Sequence, residues 1–355
     1  MKRITILCLL FFYVFNLSAQ ELHVKVELAD KNSFTIPIIP DPQSYIKYDL
    51  NQPIFDLMTA WIAHHIEPLN MKTLLCTGDL VEQNLWPIPN QTNGNQTGEQ
   101  QWKAISRSFE CLDNKLPYIL CTGNHDYGYE RAENRMSRFP DYFPVERNLS
   151  WKNTLVAVAK NAFGIPSLEN AAFEFTTDTW GKLLIISIEF DPRPEMIEWA
   201  KEITTSDKYK DHKVIILTHS YMGRDASLIE KEDYLVSPAL YGKDIWEQLL
   251  YPSDNIVLLV CGHACAIDTY EGNVSFRTDK NAKGREISQM MFNAQTGDGK
   301  WSGNGGDGWI RLLEFMPDGK TIQVRTFSPL IGTISVAADK AWRTDSYDQF
   351  SFTIK

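Results

Sequence analysis

The chain is 355 residues long and carries 35 Lys+Arg against 45 Asp+Glu, a formal net charge of −10. A surface of that sign repels polyanions, which disfavours binding to nucleic-acid polymers and anionic membranes but leaves room for a small anion held through a cation. The length suits one large domain with a sizeable core.

Lys2 and Arg3 precede a nearly unbroken apolar run, Ile4 to Leu17, and Ser18-Ala19 supplies small residues before Gln20. This is the layout of a cleaved secretory leader over 1–19, and it predicts an exported protein, periplasmic or extracellular, after cleavage near Ala19. The competing reading is a retained anchor or a buried N-terminal helix; the run is short for a permanent transmembrane helix. Without the leader's two basic residues the balance is 33 Lys+Arg against 45 Asp+Glu, or −12. Five cysteines then remain, an odd count that makes no complete disulfide framework. Residues 20–33 read as an N-terminal extension.

Strand and helix signals alternate from there. Phe34–Pro40 is a β-like apolar run. Over Ile54–Leu69, Phe55, Met58, Trp61, Ile62, His65, Ile66 and Leu69 share one helical face. Met71–Cys76 is a second strand, 90–99 an exposed polar loop, and Trp102, Ile105, Phe109 and Leu112 mark another helix. Pro117–Cys121 is a third strand. The stretch 128–168 is irregular, charged and aromatic, and reads as a surface insertion. Ala172–Phe175, Leu183–Phe190, Lys213–Leu217 and Ile256–Cys261 are further strands, with helices around Glu195–Ile203 and Lys243–Leu250 between them. Arg311–Phe315 and Thr321–Phe327 read as a hairpin across Met316-Pro317-Asp318-Gly319-Lys320. Alternating α and β units with antiparallel additions predict a layered α/β sandwich. One domain over 34–329 results, and 330–355 stays unassigned.

Five apolar runs end in metal-competent residues: FTIPIIPDPQ, LLCTGD, YILCTGNHD, VIILTHS and IVLLVCGH. In open α/β sheets, sites form at the carboxyl ends of strands. Gly-Asp alone is a turn, but five endings that carry Asp, Asn or His make a coherent ligand set. Asp and His favour divalent or trivalent ions, and Asn adds a neutral carbonyl oxygen. Asp41 and Gln43, two apart, are expected on the same face of an extended strand.

The ordered set Asp41-x-Gln43, Gly78-Asp79, Gly123-Asn124-His125-Asp126, isolated His219 and Gly262-His263-x-Cys265 resembles the calcineurin-like metallophosphoesterase superfamily. The resemblance runs from about Phe34 to Pro329, and the segment from Gly306 is similar to the close of a secreted bacterial branch. It implies a four-layer α-β-β-α sandwich carrying two metal ions, zinc, iron or manganese, bridged by Asp79. Asp79, Asn124, His219 and His263 would hold one ion. Asp41, Gln43, Asp79 and Cys265 would hold the other. The implied activity is hydrolysis of a small phosphomonoester or phosphodiester by metal-activated hydroxide. His125 would assist the leaving oxygen, with Asp126 fixing its tautomer.

Two positions depart from the family pattern, and both concern one ion: Gln43 and Cys265 each replace a histidine. Gln43 offers a weaker oxygen ligand, and Cys265 as a thiolate would favour zinc or iron. The alternative is a non-catalytic or weakly active metal- or phosphate-binding protein on the same fold. Other residues are discounted or left open. Adjacent His64 and His65 point about 100° apart on a helix and share no ion easily. His23 and His212 read as surface residues. Glu189 and Asp191 are turn residues or supports of the site. Tyr221 packs in the core or bonds a phosphate oxygen. Asn293, Trp301 and Trp309, with the glycine-rich run 297–308, line the cleft or form a crossover. No internal repeat, no transmembrane anchor and no oligomeric state is read from the sequence.

Overall fold

Alternation along the strands sets the layers. In the computed structural model, which describes residues 24–89, 93–266, 269–295 and 303–354, Leu183 and Ile185 face one apolar core while Leu184 and Ile186 face another. Ile215 and Leu217 divide from Val214 and Ile216 in the same way, as do Leu258 and Val260 from Leu259 and Cys261. A strand apolar on both faces must be covered on both, by a sheet on one side and helices on the other. The expected leader, His23 and Trp301 lie outside the described residues.

The strands are β1 (Phe34–Ile39), β2 (Leu74–Cys76), β3 (Tyr118–Leu120), β4 (Leu155–Lys160), β5 (Pro166–Thr177), β6 (Gly181–Ser187) and β7 (Lys213–Leu217). They continue with β8 (Ile256–Cys261), β9 (Val274–Lys280), β10 (Glu286–Phe292), β11 (Ile310–Phe315), β12 (Thr321–Phe327), β13 (Trp342–Arg343) and β14 (Phe350–Thr353). One sheet runs β13-β12-β11-β1-β2-β3, with β14 also on β12, and the other runs β4-β5-β6-β7-β8-β10-β9. β1, β2 and β3 are mutually parallel, as are β6, β7, β8 and β10. Their carboxyl ends carry the five polar endings.

Helices cover the outer faces. Gln52–His65 buries Phe55, Met58, Trp61 and Ile62 against the first sheet. Gly98–Phe109 joins it through Trp102, Ile105 and Phe109, and a capping box of Thr97 and Gln100 starts it. Pro194–Thr205 packs Ile197 and Ala200 on the second sheet, beside Ile245, Leu249 and Leu250 of the helical stretch that begins at Gly242. The result is the expected α-β-β-α sandwich. Among the described residues no helix is long and apolar enough to cross a membrane.

Three regions differ from expectation. The supposed insertion 128–168 contains β4 and the start of β5; β4 is a half-buried edge strand whose register shifts twice against β5, which blurs its alternation. β9 and β10 complete the second sheet, where β10 is buried on both faces apart from its first residue and so shows no alternation. The segment 330–355 extends the first sheet through β13 and β14. Buried Asp348 anchors it, accepting from Arg311 Nη2 at 2.6 Å and Arg343 Nε at 2.7 Å.

Candidate metal centre

The five strand endings meet at one edge of the sandwich. Asp41 follows β1, Asp79 follows β2 and Asn124 follows β3, all from the first sheet; His219 follows β7 and His263 follows β8, from the second. Backbone shape holds them close. Asp79 and His263 sit at φ 49° and 68°, in the left-handed region that non-glycine residues seldom adopt. Gly78, at φ 97°, passes beneath His219; a Cβ there would lie 2.8 Å from Nδ1 of that ring.

His219 is fully buried, and its Nδ1–H donates to the Thr77 carbonyl at 2.7 Å. The lone pair of neutral His219 is therefore on Nε2. Around that atom lie His263 Nδ1 at 3.1 Å, Asn124 Oδ1 at 3.2 Å and Asp79 Oδ2 at 3.3 Å. The ligand atoms of Asp79, His219 and His263 all fall within 4.8 Å of one another. On the far side of the His263 ring, Nε2 is 2.7 Å from Glu232 Oε1. Glu232 as a carboxylate only accepts, so the His263 proton belongs on Nε2 and Nδ1 offers a lone pair. With His219 neutral, four acceptors thus converge with no donor between them, which is the ligand set a divalent cation needs.

The charges agree. Burial alone would strip charge from His219, but Asp79 and Asp41 overcome it and push its pKa up to about 10. Burial raises Asp41 to about 6, with Asp79 adding to the rise. Burial also opposes charge on Asp79, yet His219 and His125 hold it down at about 2. Without an ion, the excess negative charge draws a proton onto His219; a bound cation takes that proton's place.

The second half of the predicted set is less uniform. Asp41 Oδ1 accepts from Thr77 Oγ1 at 2.7 Å and Oδ2 from the His263 amide at 2.9 Å. Contrary to expectation, Gln43 does not share an extended strand with Asp41. β1 ends at Ile39, and Gln43 opens a helical turn behind Pro42, its amide donating to the Asp79 carbonyl at 2.9 Å. Its Nε2 donates to Gln295 Oε1 at 3.0 Å, and its buried Oε1 has no hydrogen-bond partner among the described residues. A buried carbonyl oxygen in that state suits a cation. Cys265 is half-buried, and burial, with Asp41 and Asp79, pushes its thiol up to about 11. It is no preformed thiolate, so only an ion binding there would deprotonate it.

His125 is half-buried, with its amide on Asp79 Oδ1 at 3.0 Å. The expectation that Asp126 fixes its tautomer is corrected: the partner of His125 Nδ1 is the Glu82 carbonyl at 2.8 Å. The Asp126 carboxylate accepts instead from the amides of Gly123 and Val81, at 2.8 and 3.1 Å, and shapes the loop. Three other expectations resolve. Tyr221 is a core residue whose hydroxyl donates to Gln289. His212 is buried rather than exposed, with Nε2 3.0 Å from Glu174. Glu189 is buried among Asn170, Arg193 and Arg135.

Several residues at the centre were not read from the sequence. Glu232 sits in the polar run Lys231–Asp233, which reads as a solvated loop. Phe190 and Tyr234 wall the histidines, with Phe190 5.8 Å from the His219 ring and Tyr234 6.1 Å from that of His263. Lys47 and Glu82 form a buried pair at 3.7 Å; both pKa shifts run toward the neutral forms because burial outweighs their attraction. Gln295 follows β10, a strand the sequence reading passed over.

Residues 38–266 match the family described as "Calcineurin-like phosphoesterase". The chain is 26% identical over 332 residues to the uncharacterized protein YvnB of Bacillus subtilis (strain 168), covering 91% of this chain and 22% of that protein. It therefore spans about a fifth of the length of this curated relative. Among solved structures, a dimetal phosphatase from Danio rerio superposes with a TM-score of 0.50 at 9% identity, covering 91% of this chain and 99% of that one. At that identity the likeness speaks for the fold.

Proposed function

Because the chain belongs to the calcineurin-like phosphoesterase family, whose members hydrolyse phosphoesters, we propose that its metal centre cleaves a small phosphomonoester or phosphodiester outside the cytoplasm. The observation that carries this is the convergence of Asp79 Oδ2, Asn124 Oδ1 and His263 Nδ1 within 3.3 Å of His219 Nε2. Those four residues would hold one ion; Asp41, Gln43, Asp79 and Cys265 would hold a second. Bound there, metal supplies Lewis-acid charge for phosphoryl oxygens and a water acidic enough to yield hydroxide near neutral pH. The chain's own residues do the rest. Thr77 keeps the His219 lone pair aimed inward, and Asp126 fixes the loop that carries Asn124. The Glu82 carbonyl holds the proton of neutral His125 on Nδ1. With Nδ1–H held there, it is the imidazolium form of His125 that carries a proton on Nε2 and passes it to the leaving oxygen, returning to the neutral ring.

The test is turnover of p-nitrophenyl phosphate and bis-p-nitrophenyl phosphate by folded protein supplied with Zn, Mn, Fe or Co. Turnover with at least one ion is expected, and none with any would refute the hydrolase. A second reading, a binding protein with one ion and little catalysis, draws on the Cys265 thiol raised to about 11. Elemental analysis separates the two. Two ions per chain, falling to one in Cys265→Ala, is the outcome expected of the enzyme.

A further inference from the structure

Glu232 comes from the long connection between β7 and β8 and occupies a place its neighbours do not. Glu230, Lys231 and Asp233 are exposed, whereas the Glu232 side chain is 11% exposed and turns inward. One carboxylate oxygen lies 2.7 Å from His263 Nε2; the other accepts from Ser220 Oγ at 2.6 Å, on the residue after His219. Its ion-pair partner among the described residues is His263. Among the described residues no lysine or arginine pairs with it, so its charge is balanced through the imidazole, and in the loaded protein through the ion behind that ring.

The loop that delivers Glu232 is held by the core and not by chance. Phe190, Val236, Tyr127 and Ala132 form a small apolar cluster, with Tyr234 and Ala239 packed on it. Arg135 ties the two sides together, donating to the carbonyls of Phe190 and Asp191 and to that of Pro238. Asp191, at φ 41°, lies near Glu232, and burial with that neighbour's charge pushes its carboxyl up to about 9.

We infer that Glu232 is a positioning residue: it accepts from His263 Nε2–H, fixes the ring, and so presents the Nδ1 lone pair to the metal. This rests on His263 being a metal ligand, as proposed above. A carboxylate behind a ligating imidazole orients the ring and strengthens its donor atom, and losing such a partner weakens metal binding roughly 10- to 100-fold.

The experiment uses the full chain stripped of metal and titrated with zinc against a chromogenic chelator, for wild type, Glu232→Ala and Glu232→Gln. Thermal unfolding of the metal-free forms checks folding. Glu232→Ala should bind zinc at least about tenfold more weakly. Glu232→Gln keeps a carbonyl acceptor for Nε2–H and should recover most of the loss, and it serves should the alanine variant not fold. In the metal-free wild type, the His263 Nε2–H proton should appear downfield in the NMR spectrum and exchange slowly; in Glu232→Ala that signal should vanish. Zinc affinity within twofold of wild type in folded Glu232→Ala, or no zinc binding by wild type, overturns the inference. Zinc binding that depends on Glu232 in a protein that turns over no ester would sink the hydrolase reading and leave this one standing.

Discussion

Asp348 offers a stability test whose size can be worked from its surroundings. Its carboxylate is fully buried and accepts from Arg311 Nη2 at 2.6 Å, Arg343 Nε at 2.7 Å, the Tyr270 hydroxyl at 2.9 Å and Thr326 Oγ1 at 3.1 Å. Asp348→Ala removes all four. The two arginines then fare differently. Arg343 is 22% exposed and can turn to water, whereas Arg311 is 1% exposed and cannot. Leaving one such charge buried without its partner costs about 3–5 kcal/mol. At roughly 2 °C per kcal/mol for a chain of this size, that lowers Tm by about 6–10 °C. Urea denaturation and calorimetry of the metal-free protein provide the assay. Arg311→Met combined with Asp348→Ala should return much of the loss, since the stranded charge goes with it. A loss under about 1 kcal/mol in the single variant would refute the claim that this group anchors the C-terminal strands.

Three other outcomes are expected. His125→Ala should slow cleavage of an alkyl phosphoester by about 10²–10⁴-fold, and of a p-nitrophenyl ester far less, because p-nitrophenolate leaves unaided; equal losses on both would refute a role at the leaving oxygen. Gly123→Ala places a Cβ against the Asp79 carboxylate and the Asp79 amide; it should abolish metal-dependent turnover, and unchanged zinc affinity would count against the packing described. Asp191 has its pKa raised from 3.8 to about 9, so its protonated form favours the fold at low pH and that contribution fades as pH climbs from about 4 to about 9. Asp191→Asn should therefore gain stability relative to wild type across that window. A difference flat in pH by urea titration would show that Asp191 does not hold the proton.

Much of the fold could be read from the chain. Periodicity marked Gln52–His65 and Gly98–Phe109, and apolar runs marked β1, β7 and β8, since each of these has a clear face or a clear end. β10 escaped because a strand buried on both faces lacks a period of two, and β4 because two register shifts interrupt it. The metal-competent residues were legible because each closes a strand. Glu232 was not, because the fact that matters, one acidic side chain of several turning inward, depends on a core of Phe190, Tyr127 and Val236 drawn from distant segments. Asp126 was misread for a related reason. Adjacency to His125 suggested a contact, but the tight turn sends the two side chains apart, one to Glu82 and the other to Gly123 and Val81.

The centre draws Asp79 and Asn124 from one sheet and His219 and His263 from the other. An ion held between them would be a removable cross-link at one end of the sandwich, closing among others the long stretch of chain from Asn124 to His219. Such a link acts on the unfolded chain as much as on the folded one, since it withdraws conformations the free chain would otherwise explore. Loading the site would then make the two sheets melt together, and stripping it would let them part first at the end that carries the centre.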